Sequence, residues 1–436
     1  MGYRWLFTSL QVKVKPMPTH SRDRIVVVGG GAVGLCSALF LLRRGYKATV
    51  IDRGPPGDGA SGHNAGIIAT GHCLPTALPG VIRSLPKMLL DPLSPLAVRW
   101  RYLPRMLSWL LRFLAAGRPS RVEEASIAIT SLIEQSVRAW EELVPVGGTE
   151  GAFAEGGYLL GYLTEATYRK DAFSIETTRR RQVPMRVLDQ AGVAELAPTL
   201  SGRFSHGVWF PNAVWGDPRR LCTRLHQLFS EAGGETIRSE VVGFEVGSDG
   251  VSEVRTQDGA IPADGLVIAA GAWSKSLTAM LGFTTPLDTE RGYGVDLPDP
   301  GVELPFPILS KDFHFALTPL PQGLRLAGTD ELAGLEAPPN FRRADRLIEA
   351  SLQVFPELNP AGAERWMSFR PSHPDSLPVI GRAPGHNNVF LAYGHDHIGL
   401  TQAAITGEIV ARLVDSEEPT VDIHPFRPTR FRFGRP

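Results

Sequence analysis

The residues with the clearest chemical purpose stand near the start of the chain, where Gly29-Gly30-Gly31-Ala32-Val33-Gly34 satisfies the pattern G-x-G-x-x-G. Each glycine meets a separate need: Gly29 permits a tight turn, Gly31 lets backbone approach a pyrophosphate, and Gly34 lets a helix pack closely on a strand. A helix opening here aims its N–H groups and the positive end of its dipole at that pyrophosphate. Asp52 follows Gly34 by eighteen residues. At that spacing a carboxylate accepts hydrogen bonds from a ribose, and its charge repels a 2′-phosphate. The pattern predicts a dinucleotide site and argues against NADP, but by itself it does not separate NAD from FAD.

Such a site needs a strand before the glycines and a second strand before the acid. Ile25-Val26-Val27-Val28 reads as the first, a buried parallel strand. Val33, Leu35, Leu39 and Leu42 give the helix its apolar face, Gly45 ends it, and Ala48-Thr49-Val50-Ile51 forms the second strand, closing at Asp52. From Leu74 to about Arg121 the pattern becomes Pro-punctuated amphipathic helix, with Arg83, Lys87, Arg99, Arg101, Arg105, Arg112 and Arg118 among Leu, Trp and Met. Strand character returns at residues 152–163. A helix and strand follow Asp217-Pro218 and lead through Val241-Val242-Gly243-Phe244 to Leu266-Val267-Ile268-Ala269-Ala270. Residues from Tyr293 to Gly328 have hairpin character, with a turn at Pro321-Gln322-Gly323. A strand at Val389–Ala392 and a helix from about Leu400 to Val414 close the chain. The expected fold is α/β: a Rossmann-type nucleotide domain (24–84, 196–275 and 365–436) interleaved with an α+β substrate domain (85–195 and 276–364) carrying a mixed antiparallel sheet. Residues 1–23 read as a loose extension.

At 436 residues the chain exceeds one ordinary core, so a sizeable buried site is expected. Lys+Arg 45 balance Asp+Glu 45, which speaks against a nucleic-acid partner. Cys36, Cys73 and Cys222 are odd in number, widely spaced and form no CxxC, so no disulfide framework, zinc site or other metal is expected. A reducing cytoplasmic compartment fits. The apolar patch Trp5-Leu6-Phe7 is too short for a secretory signal. No apolar run reaches the roughly 18 residues of a membrane-spanning helix.

Three further segments carry a resemblance. Ala60-Ser61-Gly62-His63-Asn64-Ala65-Gly66-Ile67-Ile68 resembles the loop after the second strand in the D-amino acid oxidase superfamily of flavoproteins. Asp264 to Ser274 is similar to that family's later nucleotide-domain strand and turn. Arg370-Pro371-Ser372-His373-Pro374-Asp375-Ser376-Leu377-Pro378-Val379-Ile380-Gly381, followed by Tyr393-Gly394-His395-Asp396-His397-Ile398-Gly399-Leu400-Thr401, resembles its carboxy-terminal signature. Order and spacing match over about residues 24–426. The Pro- and Arg-rich stretch at 85–121 and Glu290-Arg291-Gly292-Tyr293 resemble bacterial D-amino acid dehydrogenases, including the D-hydroxyproline type. Asp396 departs from that group, which more often has glycine there.

The resemblance implies FAD as cofactor. It places Gly29, Gly31, Ala32, Val33, Gly34, Asp52, Arg53, Ser61, His63, Asn64, Ala65, Gly66, Ile67, Val242, Ala270, Gly271, Trp273, Gly399, Leu400 and Thr401 against it. Noncovalent binding is expected. The alternative is attachment through His63, which stands three residues before Gly66, where related dimethylglycine and sarcosine dehydrogenases attach FAD through a histidine. Arg370 corresponds to the arginine that holds the substrate carboxylate in glycine oxidases, a role suited to a bidentate guanidinium. Tyr293 resembles a substrate-side tyrosine; Arg291, two residues away, shares its strand face. His395 or His397, before the last helix, adds to the field at the flavin or contacts substrate. The implied reaction is hydride transfer from Cα of a D-amino acid or D-imino acid to flavin N5, with the imine hydrolysed to a 2-oxo acid.

The alternatives are an N-methyl amine dehydrogenase or oxidase of the sarcosine type and a flavin-containing electron-transfer subunit, against which Arg370 argues. A quinone or respiratory carrier is the expected electron acceptor in preference to oxygen. The stretch from Trp100 to Arg121, with Leu103, Met106, Leu107, Leu110, Leu111 and Leu114 among arginines, reads first as an amphipathic helix packed on the substrate domain. Its second reading is peripheral contact with the inner membrane face.

Overall fold

The computed structural model describes residues 23–80, 96–144, 152–247 and 250–431. Most of the expected leading extension, together with Arg83 and Lys87 of the helical stretch, lies outside the described residues.

The chain opens with β1 (Arg24–Val28), α1 (Ala32–Arg43) and β2 (Lys47–Asp52). The β-branched run of β1 is fully covered because strands flank it on both sides: β2 pairs with one edge and Gly265–Ile268 with the other, all parallel. The full sheet runs Glu235–Arg238, β2, β1, Gly265–Ile268, Val389–Tyr393, Val379–Arg382, with only the last strand antiparallel to its neighbour. The strand order reverses at β1, so the crevice beyond its carboxyl end is where such a sheet takes its ligand. In place of the expected single apolar face, α1 is buried almost all round, from Ala32 to Leu42. It is covered by the final helix, Gly399–Val414, as well as by Pro218–Glu231. A helix enclosed on every side needs no polar stripe.

The second layer is a nine-stranded mixed sheet. Along it Glu364–Ser372, at the edge, is followed by Asp288–Leu297, Gly323–Leu332 and Phe315–Leu320, each antiparallel to the next, while Leu96–Val98 pairs in parallel with the end of Gly323–Leu332. Phe315–Leu320 and Gly323–Leu332 form the expected hairpin, turning through Pro321 and Gln322. Two expected boundaries, at 196 and 365, are corrected by this sheet. His206–Phe210 and residues 365–372 were placed with the nucleotide domain, yet both pair with strands expected in the substrate domain.

Register decides which side chains meet the nucleotide domain. Glu290 is the cross-strand partner of Arg370, Gly292 of Ser368, and Gly294 of Trp366, and directly opposed residues share a face. That face looks toward the nucleotide domain: Ser368 Oγ donates to His63 O at 2.8 Å, and the Trp366 ring lies tilted against His63, 5.6 Å between centroids. The odd residues, Tyr293 and Val295, point to the opposite side and into the core built with Leu317, Leu326 and Leu347.

Helix Leu103–Ala116 presses Met106, Trp109, Leu110 and Phe113 against Val98 and Leu332 of this sheet. Trp109 Nε1 also donates to Ser372 O. The packed reading of this stretch therefore describes one of its faces. On the other, Trp100, Leu107 and Leu111 are 60%, 54% and 60% exposed, beside exposed Arg101, Arg105, Arg112 and Arg118. Among the described residues no helix is long and apolar enough to cross a membrane.

Candidate active site

An elongated cavity of about 650 Å³ runs between the two layers, from Asp52 and Arg53 at one end to Arg370 and His397 at the other. Its nucleotide end is built by backbone. Gly29 has φ +118°, a left-handed value that a side chain would strain, and a Cβ there would also press on Ala269 and Ala270. A Cβ on Gly31 would stand 2.9 Å from Ser61 Oγ, so only glycine keeps this wall open. Gly31, the N-cap residue of α1, has no side chain to cap it and no acid sits in its first turn, so the positive helix end is not neutralised by charge from the helix itself. Ser61 Oγ accepts from Ala32 N at 2.9 Å. Asp52 lies in the wall at the end of β2, where its carboxylate accepts from Gly30 N (2.6 Å) and Gly54 N (2.9 Å). Arg53 lays its guanidinium 4.2 Å from the Trp273 ring centroid, and both line the cavity.

The loop Ala60–Ile68 forms the middle of the wall, and the mixed sheet holds it by its carbonyls. Arg325 Nη1 donates to Gly62 O and Asn64 O, Ser368 Oγ to His63 O, and Thr318 Oγ1 to Ala65 O. Arg325 is itself fully buried, and Asp296 fixes its fork through two bonds of 2.7 and 2.8 Å. Sequence reasoning missed Arg325, and an isolated arginine in a strand offers no local signal. His63 lines the cavity with Nδ1 paired to Gly59 O; burial, followed by the nearby cations Arg219 and Arg325, pushes its pKa down.

Most of the expected cofactor contacts line this cavity; Ala32, Gly34, Val242 and Thr401 do not. Gly34 serves packing, since a Cβ there would collide with Gly29 O. Val242 is half exposed on a separate antiparallel sheet, and its neighbour Val241 takes the wall position because alternate strand residues face opposite ways. Thr401 is buried, its hydroxyl accepting from Ala69 N at 2.9 Å. It secures the loop from behind while Gly399 and Leu400 face the cavity.

At the far end Arg370 lines the cavity as expected, and it is paired: Nη1 donates to Thr329 O at 2.9 Å and to Asp330. Its guanidinium lies over Gly292, where a Cβ would stand 2.7 Å from Nη1 and closer still to Cζ. Tyr293 is a correction. It is completely buried in the core behind the sheet, donates to Glu331 Oε2 at 2.6 Å, accepts from Asn340 N at 3.0 Å, and does not reach the cavity. Burial, then the bond to Glu331, raises its pKa. The alternation that put Arg291 and Tyr293 on one face holds, but that face is the wrong one. The glycines at 292 and 294 mark the site face, because Arg370 and Trp366 occupy the space their side chains would fill.

The two histidines of the last turn divide. His395 lines the cavity but turns its ring inward, Nε2 pairing with Thr406 Oγ1 at 3.0 Å, and burial holds its pKa down at about 3. It is a neutral packing residue, which corrects its expected place at the reacting centre. His397 lines the cavity beside Arg370. Its Nε2 meets Glu290 Oε2 at 2.9 Å, Asp396 Oδ1 at 3.4 Å and Asp330 Oδ1 at 3.6 Å. Burial opposes its charge, but Asp330, Asp396 and Glu290 outweigh that and raise its pKa to about 9. Glu290, buried and crowded by Asp396, is raised as well. His72 is pushed down to about 4, first by burial and then by His397. Glu290 and Asp330 were not foreseen.

The fold and this cavity define an oxidoreductase built around a dinucleotide cofactor, and comparison with known proteins narrows the class. The model of the FAD dependent oxidoreductase family matches residues 24–413. The chain is 35% identical over 415 residues to a D-amino-acid oxidase of Bradyrhizobium diazoefficiens, covering 93% of this chain and 98% of that one. Among solved structures it superposes on glycine oxidase from Geobacillus kaustophilus with a TM-score of 0.69 at 22% identity, over 95% of this chain and 100% of the other. It superposes on L-proline dehydrogenase from P. horikoshii with a TM-score of 0.67 at 22% identity, over 94% and 98%. The chain belongs to the FAD dependent oxidoreductase family. FAD is its cofactor, and the glycine cradle, the α1 N-terminus with no acid in its first turn and Asp52 are the features that fit it.

Proposed function

We propose that the chain oxidises a D-amino acid, or a D-imino acid of the hydroxyproline type, at the carbon beside nitrogen, the imine then being hydrolysed to a 2-oxo acid. The observation that carries this reading is Arg370, a guanidinium on the cavity wall at the end away from the glycine fingerprint, backed by Asp330. A carboxylate docking there is oriented as well as bound. The flavin, when bound, supplies the hydride acceptor. Gly29, Gly31, Asp52, Ser61 and the wall Ala60–Ile68 hold it, and Arg325 keeps that wall in place. The similarity to a D-amino-acid oxidase supports the substrate class, and the fold shared with L-proline dehydrogenase is in keeping with an imino acid.

In this proposal FAD is held without a covalent bond and electrons pass to a quinone or other respiratory carrier. The exposed Trp100, Leu107 and Leu111 among arginines support an acceptor at a membrane surface. An N-methyl amine substrate is the second reading, favoured by the position of His63 on the cavity wall.

The test is anaerobic bleaching of the flavin near 450 nm, roughly where oxidised flavins in general absorb, by D- and L-amino acids, D-hydroxyproline, sarcosine and dimethylglycine separately. Selective bleaching by D-amino or D-imino acids, abolished by Arg370→Leu, is the expected result. Bleaching by the N-methyl amines alone, with flavin retained on a denaturing gel, moves the assignment to the second reading.

A further inference from the structure

Arg370 accounts for one cation at the substrate end of the cavity, but His397 stands beside it with more carboxylate contacts than a packing histidine needs. Three carboxylate oxygens, from three different segments, converge on its Nε2 at 2.9, 3.4 and 3.6 Å. Asp330 and Asp396 are fixed independently of His397, and Glu290 is brought to it by its strand. The register places Glu290 opposite Arg370 on the site face, and its carboxylate meets His397. Asp330 is clamped by Arg370. Asp396 Oδ1 accepts from Ser372 Oγ at 3.0 Å, and its Oδ2 from Thr76 Oγ1 at 3.0 Å. Asp396 also sits at φ +52°, a left-handed conformation that Asp tolerates better than most residues. Three carboxylates facing one guanidinium leave an excess of negative charge, which a protonated imidazole reduces. Glu290 is almost fully buried, whereas the His397 ring is 26% exposed and turned to the cavity.

We propose that His397 is a second cation of the carboxylate-binding end, an imidazolium that grips the substrate carboxylate together with Arg370, with Asp396 and Glu290 as the positioning residues that keep it charged. The proposal rests on the reading of Arg370 as a carboxylate anchor. The groups facing His397 are Glu290 from strand Asp288–Leu297, Asp330 from Gly323–Leu332, Arg370 from Glu364–Ser372, Asp396 from its own turn, and His72 from the loop after Ile68. Of these, Arg370 opposes the charge and the three carboxylates sustain it. His72 is neutral across the physiological range. Glu290, raised to about 7 by burial and Asp396, completes its own ionisation at the lower end of the range from pH 7 to 10, which adds to the negative charge around His397; carboxylate affinity falls as His397 loses its proton.

The probe is benzoate, a carboxylate with no hydrogen for flavin to take, and the readout is its Kd from the perturbed flavin spectrum between pH 7 and 10. With His397 titrating at about 9, the protonated fraction at pH 10 is about one in eleven, so the Kd rises from pH 7 to pH 10 by up to about tenfold, the ceiling reached where Arg370 alone does not hold the carboxylate. His397→Gln weakens binding at pH 7 and flattens the profile. His397→Arg flattens it while keeping the affinity. Asp396→Asn, which the left-handed backbone accepts, moves the onset of weakening to lower pH. A wild-type Kd unchanged through pH 10, or a His397→Gln protein with the wild-type profile, overturns the proposal. If Arg370→Leu also binds benzoate as tightly as wild type, the anchor reading itself has failed rather than the role of His397.

Discussion

Gly292→Ala separates the site face of the mixed sheet from its core face with a single methyl group. The new Cβ would stand 2.7 Å from Arg370 Nη1 and closer to Cζ, where ordinary contacts lie at about 3.5–4.0 Å. The obstructing atoms are the end of a flexible side chain, so the guanidinium retreats by about 1 Å and the fold survives. The 2.9 Å bond from Nη1 to Thr329 O then stretches beyond hydrogen-bonding range, and the pair with Asp330 is disturbed with it. A displacement of about 1 Å in a group that orients substrate costs on the order of a hundredfold in rate, about 2.7 kcal/mol. The assay is rapid-mixing anaerobic reduction, comparing the limiting rate divided by substrate Kd for wild type and variant at equal flavin content. A fall of about a hundredfold with a melting temperature within a few degrees of wild type is expected. A variant within threefold of wild type would refute the argument, because Arg370 would then not be the group that positions substrate.

The opposite face supplies the control. Tyr293→Phe removes the donor to Glu331 and the acceptor for Asn340 N, which lowers stability by about 1–3 kcal/mol while the reduction rate stays within twofold; a tenfold slower reduction would put Tyr293 back in the site. Arg325→Met unpins Gly62 O and Asn64 O and leaves Asp296 without its fork, a change of about 3–5 kcal/mol; the protein should purify with less than its full flavin, and a wild-type flavin-to-protein ratio would sink the clamp. Vesicles of anionic phospholipid at low salt should float the protein. The exposed Arg101, Arg105, Arg112 and Arg118 at about 1 kcal/mol each give roughly 4 kcal/mol, lost at high salt and reduced by Leu107→Ser with Leu111→Ser. Protein that stays wholly at the bottom removes the membrane contact.

The nucleotide end of the site was legible because its determinants are local. Turn, helix start and acid lie within thirty residues of one another, and each residue type answers a backbone requirement that no distant partner changes. The loop Ala60–Ile68 was legible only as a resemblance, since what fixes it, Arg325 and Thr318, comes from strands more than two hundred residues away. The substrate end depends on register. Alternation along 288–297 gives two faces but does not say which is inward, and choosing the residues with chemistry on their side chains, Arg291 and Tyr293, selected the core face. The better signal was the absence of side chains at 292 and 294, because a strand face made of glycines is one against which something large must lie.

The same reasoning explains why Asp396 could be noticed but not interpreted from sequence. A residue in place of the more usual glycine at a left-handed position costs conformational energy, which is sustained only when the side chain is held elsewhere. Ser372 and Thr76 hold one oxygen each, and the one that Ser372 holds faces His397. Only the folded chain reveals that Glu290 and Asp330 arrive at the same nitrogen from two other strands. The charge of His397 is therefore a property of three segments jointly, and the dependence of carboxylate binding on pH follows from that convergence rather than from any one of the residues.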